Sequence, residues 1–194
     1  MKKIVLFIFA FCFTIYAREA IIKDIINENT IIIEQNGIEK RAKLAGIISF
    51  LKANQKNRDV SYKKRENLQS KAIDFLKENL RVGEKIDFIK IDYENDKSLH
   101  IWASYKDGRE INYQMIKDGY ALLDANDPYL LGSFYMRLYR AQKYAKDKRF
   151  GLWKNEFKNM KKLAEVRDFY GSSNKNVKKI DILEYFKQKA MKKY

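Results

Sequence analysis

The sequence predicts an α+β fold that is mainly β: a five-stranded barrel of the OB type with about three helices, followed by a basic helical C-terminal extension. Three observations lead there. Short apolar, β-branched runs punctuated by turn residues fall as three strands before one long amphipathic helix and two after it, the order expected of a small Greek-key barrel. Asn36-Gly37 is the dipeptide favoured by a two-residue hairpin and ties strands into a meander. The composition changes at Lys154, and from that residue onward 12 Lys and Arg face 5 Asp and Glu, a net +7.

Residues 20–26 alternate and then run apolar, and residues 30–33 are β-branched, with the turn-forming residues 27–29 between them. Residues 43–48 read as the third strand. Residues 54–64 are polar and basic without periodicity and read as a loop. Leu68, Ala72, Phe75, Leu76 and Leu80 then recur at helical spacing, with Gly83 past the helix end. Residues 85–91 and 99–105 supply the last two strands, and the turn at residues 106–109 follows. Residues 112–117 read as a short helix with Asn112 as its N-cap, and residues 130–148 as a long helix carrying Phe134, Leu138, Ala141 and Ala145 on one face. Gly151-Leu152-Trp153 closes the compact part. In the tail, residues 157–169 and 180–191 have helical spacing, separated by a polar linker at residues 171–176, and the last helix, with Leu183, Phe186 and Ala190 on one face, is expected to pack on the barrel, dock a partner or lie on a membrane.

The organisation is therefore a segment at residues 1–17, a barrel domain at residues 18–153 and a tail at residues 154–194. Lys2 and Lys3 precede an apolar run from Ile4 to Ile15 that is short for a membrane span, and Ala17 supplies a small residue at a cleavage position. This is the pattern of a secretory signal peptide, so the chain is expected to be exported to a periplasmic or extracellular location, with no transmembrane span after cleavage. An uncleaved anchor and a lipoprotein attached through Cys12 are the alternatives. Cys12 is the sole cysteine and lies in the removed segment, so the mature chain is expected to lack thiol chemistry. The formal net charge is +15, and losing Lys2 and Lys3 leaves +13. A balance of this size suits anionic partners, either nucleic acid or an acidic membrane surface.

Four local matches carry a resemblance. Lys43-Leu44-Ala45-Gly46-Ile47 is similar to an Arg-Leu-Ala-Gly-Ile strand, Asn29-Thr30 to an Asp-Thr pair after the first turn, and Gly151-Leu152-Trp153 to a closing Gly-Leu-Trp. Asp107-Gly108 followed by Asn112, Gly119 and Ala121 is similar to a strand-to-helix passage. In their order and spacing these resemble the staphylococcal-nuclease-like (thermonuclease) family over residues 20–153. The resemblance implies an OB barrel and calcium-assisted cleavage of phosphodiesters. In that chemistry carboxylates hold the ion, a Glu activates the attacking water, and two Arg side chains stabilise charge on the phosphoryl oxygens.

Carried over by position, the resemblance places Asn29 and Ile48 at the metal carboxylates, Leu51 at the base, and Lys43 and, by a looser match of residues 96–100, His100 at the two arginines. Asn offers one neutral oxygen, Ile and Leu offer none, and Lys cannot grip a phosphate through two parallel bonds. No catalytic residue or metal ligand is therefore assigned. Glu28, Asp24 and Asp59 are the carboxylates from which a site could be rebuilt, and otherwise read as exposed solvating groups. His100, the only histidine, reads either as a phosphate contact or as a strand residue facing solvent or packed beside Trp102, and both tryptophans read as core. The leading expectation is an exported nuclease-like protein that binds nucleic acid through Lys43, Lys97, His100 and Arg109, with impaired or lost hydrolysis and no cofactor. The alternatives are an active endonuclease with a rebuilt, calcium-binding site, and an envelope protein whose tail contacts a protein partner or anionic membrane.

Overall fold

The computed structural model describes residues 18–54, 59–95, 98–127, 130 and 132–164. The expected signal peptide, Lys97, and the tail linker and last helix lie outside them.

β1 (Arg18–Asn27), β2 (Thr30–Gln35) and β3 (Ile38–Leu44) form the antiparallel meander, with Asn36-Gly37 turning between Gln35 and Ile38. The expected third strand at residues 43–48 is divided: β3 starts directly after the hairpin and stops at Leu44, and β4 (Ile47–Ile48) belongs elsewhere. Gly46 is the cause. Its φ of +75° ends the extended run, and a Cβ there would lie 2.4 Å from Leu138 Cδ1. The chain turns sharply where a helix packs against it, a position only glycine fills without strain.

α1 (Tyr62–Asn79) begins earlier than the apolar spacing suggests because Ser61 caps it, its Oγ accepting the Lys64 N–H. Leu68, Ala72 and Leu76 form its buried stripe. β5 (Lys85–Asn95) and β6 (Ser98–Tyr105) follow as an antiparallel pair. β6 then pairs parallel with β3, and β5 pairs antiparallel with β1, closing the barrel in the order β1-β2-β3-β6-β5.

α2 (Ile111–Lys117) starts one residue before the expected cap, and Asn112 is not its cap. Asn112 is buried, its Oδ1 accepting the Ala103 N–H while its Nδ2 donates to the Ala45 and Ile101 carbonyls. This amide ties α2 to β6 and to the end of β3. β7 (Leu122–Leu123) pairs with β4. α3 (Gly132–Lys148) packs through Leu138, Ala141 and Ala145 and also buries Gln142, whose Oε1 accepts the Leu123 N–H. α4 (Leu152–Asn155) and α5 (Phe157–Leu163) complete the described chain.

Two apolar clusters result. One fills the barrel with Ile22, Ile31, Ile33, Leu44, Ile86, Phe88 and Ile101, plugged by Leu76 and Leu80 of the α1 end. The other lies between α1, α4, α5 and the segment after β4, around Phe50, Leu68, Leu152 and Trp153. Met160 and Leu163 of α5 belong to it, so the compact body continues past Trp153 to Ala164. The composition shift at Lys154 marks the outward face of α5, where Lys158 and Lys161 are exposed. The Gly-Leu-Trp motif has a packing reason. A Cβ on Gly151 would sit 2.3 Å from the Asp118 carbonyl oxygen, and one on Gly119 2.3 Å from that of Phe150, so two backbone segments cross there without side chains.

Candidate functional site

Of the positions singled out in the sequence, Asn29, Lys43 and His100 are brought to one end of the barrel. Thr30 pairs with Lys43 across β2 and β3, and Lys43 with His100 across β3 and β6. Ile48 and Leu51 join them through the turn after β3. Arg109 does not. It lies beyond the far end of β6, where Tyr105 N–H donates to its carbonyl, and the five residues from His100 to Tyr105 span about 17 Å of strand. Its guanidinium is bonded to Asp107 at 2.7 Å, and the Arg109 backbone N–H and guanidinium hold the Asp107 carboxyl below its ordinary range.

The turn between β1 and β2 presents Glu28 and Asn29, and both side chains point inward to backbone. Glu28 is fully buried rather than exposed. Its Oε1 accepts the Phe50 N–H at 2.6 Å and its Oε2 accepts Gln69 Nε2 at 2.7 Å. Asn29 Nδ2 donates to the Ile47 carbonyl at 2.9 Å, while its Oδ1 accepts the Thr30 hydroxyl at 2.8 Å. The amide is used through both ends, and a carboxylate could make only one of these bonds. From the opposite side, the buried Arg65 guanidinium donates to the carbonyls of Val60, Phe50, Ala53 and Asn54. Burial lowers the Arg65 pKa from its ordinary value. The Phe50 backbone is thus held at its N–H by Glu28 and at its C=O by Arg65. The segment that the resemblance makes catalytic is fastened as structure.

Ile48 packs against the second cluster, and Leu51 is partly buried with its N–H directed to Ser49 Oγ at 3.3 Å. These side chains do not fit a calcium ion. Two of the positions carry no oxygen on their side chains, and the one amide oxygen present is engaged by Thr30. The three carboxylates available for rebuilding are dispersed in their contacts: Glu28 faces Phe50 and Gln69, Asp24 accepts the Ile25 N–H, and exposed Asp59 pairs with Lys162. Among the described residues, no group of three or more His, Cys, Asp or Glu side chains is arranged to hold a metal ion.

Two acidic residues that sequence reasoning passed over complete this end of the barrel. Asp127 Oδ2 accepts the Gly46 N–H at 2.7 Å and lies 3.9 Å from His100 Nε2, and the Asp124 N–H donates to the Gly46 carbonyl at 2.9 Å. The segment after β7 is therefore clasped to the Gly46 turn from both ends of one residue. His100 is 2% exposed, beneath that segment rather than facing solvent. Its neighbour Trp102 packs against Phe134 of α3, the rings tilted by 45° with centroids 4.5 Å apart, and both tryptophans are core as expected. Burial pushes the Asp124 carboxyl upward, the Asn126 N–H opposes this, Asp127 reinforces it, and the charges of Lys43 and His100 pull it down. The Lys43 ammonium is thus close enough to act on the Asp124 carboxyl through its charge. The Asp127-Pro128 pair was the available signal, since Asp-Pro favours the start of a turn.

The match to a family model described as staphylococcal nuclease homologue runs over residues 41–155, from β3 to α4. It includes Lys43, Ile48, Leu51, His100 and Arg109, while Asn29 lies just before it. A search of curated proteins finds no match. With a closed five-stranded barrel, the helix between its third and last two strands, and a family match over more than half of the 194 residues, the chain belongs to the staphylococcal nuclease homologue family.

Proposed function

We propose that this chain is an exported, nuclease-like barrel protein that binds nucleic acid and has lost phosphodiester hydrolysis. The observation that carries the loss is the direction of the buried polar groups: Glu28 and Asn29 serve Phe50 N–H and Ile47 C=O, and positions 48 and 51 are Ile and Leu. A hard cation needs several oxygen ligands, and a general base needs a proton-accepting atom within hydrogen-bond reach of the water. Removing even one preorganised electrostatic group from such a site costs roughly 10² to 10³ in rate. Losses at a shared site are not additive, so the expectation is activity at or near background rather than a product of separate losses.

Charge supports the binding half of the reading. The +13 balance expected of the cleaved chain favours a polyanion, and each phosphate contact releases counterions, which makes affinity fall steeply with salt. Filter binding of labelled oligonucleotides across a salt series tests this. Weak, sequence-tolerant binding that fades as salt rises is expected, and absence of binding at low salt refutes it. For export, mass spectrometry of the mature N-terminus is expected to find Arg18 first, and a chain retaining Met1 refutes cleavage.

A further inference from the structure

We infer that the outward face of α3 is a binding surface for single-stranded nucleic acid, separate from the barrel end where the family's catalytic positions lie. The inference rests on nucleic acid being the ligand. The inward face of α3 is occupied by Leu138, Ala141, Gln142 and Ala145. The outward face has an unusual content. Of the nine large hydrophobic side chains exposed among the described residues, four belong to this helix and the turn that follows it: Met136, Tyr139, Tyr144 and Phe150, each between 41% and 44% exposed. Met136, Arg140, Tyr144 and Lys148 succeed one another at four-residue spacing, so apolar or aromatic groups alternate with cations along about 18 Å of helix.

The rings form two neighbouring pairs. Tyr135 and Tyr139 lie nearly parallel at 16° with centroids 6.2 Å apart, and Tyr144 meets Phe150 edge-on at 5.4 Å. The charge is one-sided. Asp147 is the single acid of α3, and Lys143 satisfies it. Arg137 is satisfied by Glu110. Arg140, Lys146 and Lys148 have no ion-pair partner within 4 Å among the described residues. Unsatisfied cations interleaved with exposed rings form the combination that holds a single strand, with phosphates on the cations and bases on the rings. An anionic membrane surface would use the cations equally well. It would also require a broad apolar face to bury, and the aliphatic stripe of α3 is already consumed by the core, leaving two tyrosines, one Met and one Phe outside, interleaved with cations.

The test uses the full mature chain and a fluorescein-labelled oligothymidylate, read by anisotropy across a salt series. Tyr139→Ala with Tyr144→Ala is expected to weaken binding about ten-fold per ring. Arg140→Gln with Lys148→Gln is expected to lower the salt slope by about 1.4, the value for two contacts to a single strand. Lys63→Gln with Lys77→Gln removes the same charge from α1 and is expected to change the slope far less. Equal effects from the α1 and α3 charge variants would overturn the inference, because net charge alone would then explain the affinity. Oligothymidylate binding that survives all α3 substitutions would also overturn it while leaving nucleic-acid binding itself standing. Absence of binding by the unsubstituted chain would overturn both. Binding to phosphatidylglycerol vesicles but not to the oligonucleotide would overturn it too, and reassign the face to a membrane.

Discussion

Restoring the family's carboxylate at position 29 is expected to damage this protein rather than revive it. Asn29→Asp removes the donor that reaches the Ile47 carbonyl at 2.9 Å and puts an oxygen in its place, while leaving the bond from the Thr30 hydroxyl at 2.8 Å intact. Two acceptors would then face each other at a position only 6% exposed. Leaving a buried polar group unmatched costs about 1–3 kcal/mol, which for a chain of this size lowers the melting temperature by roughly 2–12 °C. The effect has a definite pH dependence. Burial against a carbonyl favours the protonated carboxylic acid, which can donate to Ile47 as the amide did, so the folded pKa of the introduced carboxyl is raised above its unfolded value. The folded variant then binds more protons than the unfolded one, and its stability falls as pH rises through that window. Thermal melts of variant and parent, followed by circular dichroism, should therefore differ strongly near about pH 7 and much less near about pH 4. A variant as stable as the parent at neutral pH, with a difference independent of pH, would refute the structural role assigned to the amide.

The Arg65 clasp is expected to be equally demanding: Arg65→Lys cannot reproduce a fork that serves four carbonyls and should lose about 3 kcal/mol in chemical denaturation, whereas a loss within experimental scatter would argue that the clasp is ornamental. Gly151→Ala drives a Cβ to 2.3 Å from the Asp118 carbonyl and should prevent α4 from docking, read as loss of the Trp153 fluorescence environment. Unchanged emission would contradict that crossing. Asp124, whose carboxyl is raised by burial, contributes stability that is complete below its unfolded pKa and declines as pH rises through its folded one. Asp124→Asn should flatten the stability profile just above the ordinary carboxylate range, and an unchanged profile would dismiss that contribution.

Much of the barrel was legible because its information is local. Alternating apolar residues, Asn36-Gly37 and the stripe from Leu68 to Leu80 each specify an element from within a few residues of chain. The division of the third strand was not legible, because it depends on α3 arriving over Gly46 from far along the sequence. Asn112 misled for a related reason. Its position at a helix start suits a cap, yet its amide bridges Ala103, Ala45 and Ile101, partners that only the closed barrel brings together. At the site, the substitutions Ile48 and Leu51 were visible as lost chemistry, since neither side chain has an oxygen. The work done by Glu28 was hidden, because an isolated Glu in a turn reads as a solvated charge until Phe50 and Gln69 are seen against it. The same holds for His100, whose burial depends on the segment carrying Asp124 and Asp127 folding back over β6.

The central claim, binding without hydrolysis, is tested most directly by following binding and integrity of one labelled oligonucleotide in a single preparation, with calcium and then with a chelator. The account predicts salt-sensitive binding that the chelator leaves unchanged and an oligonucleotide that stays intact in calcium. Calcium-dependent cleavage that follows the protein through purification and disappears in Lys43→Ala would contradict it and establish an active site at this end of the barrel.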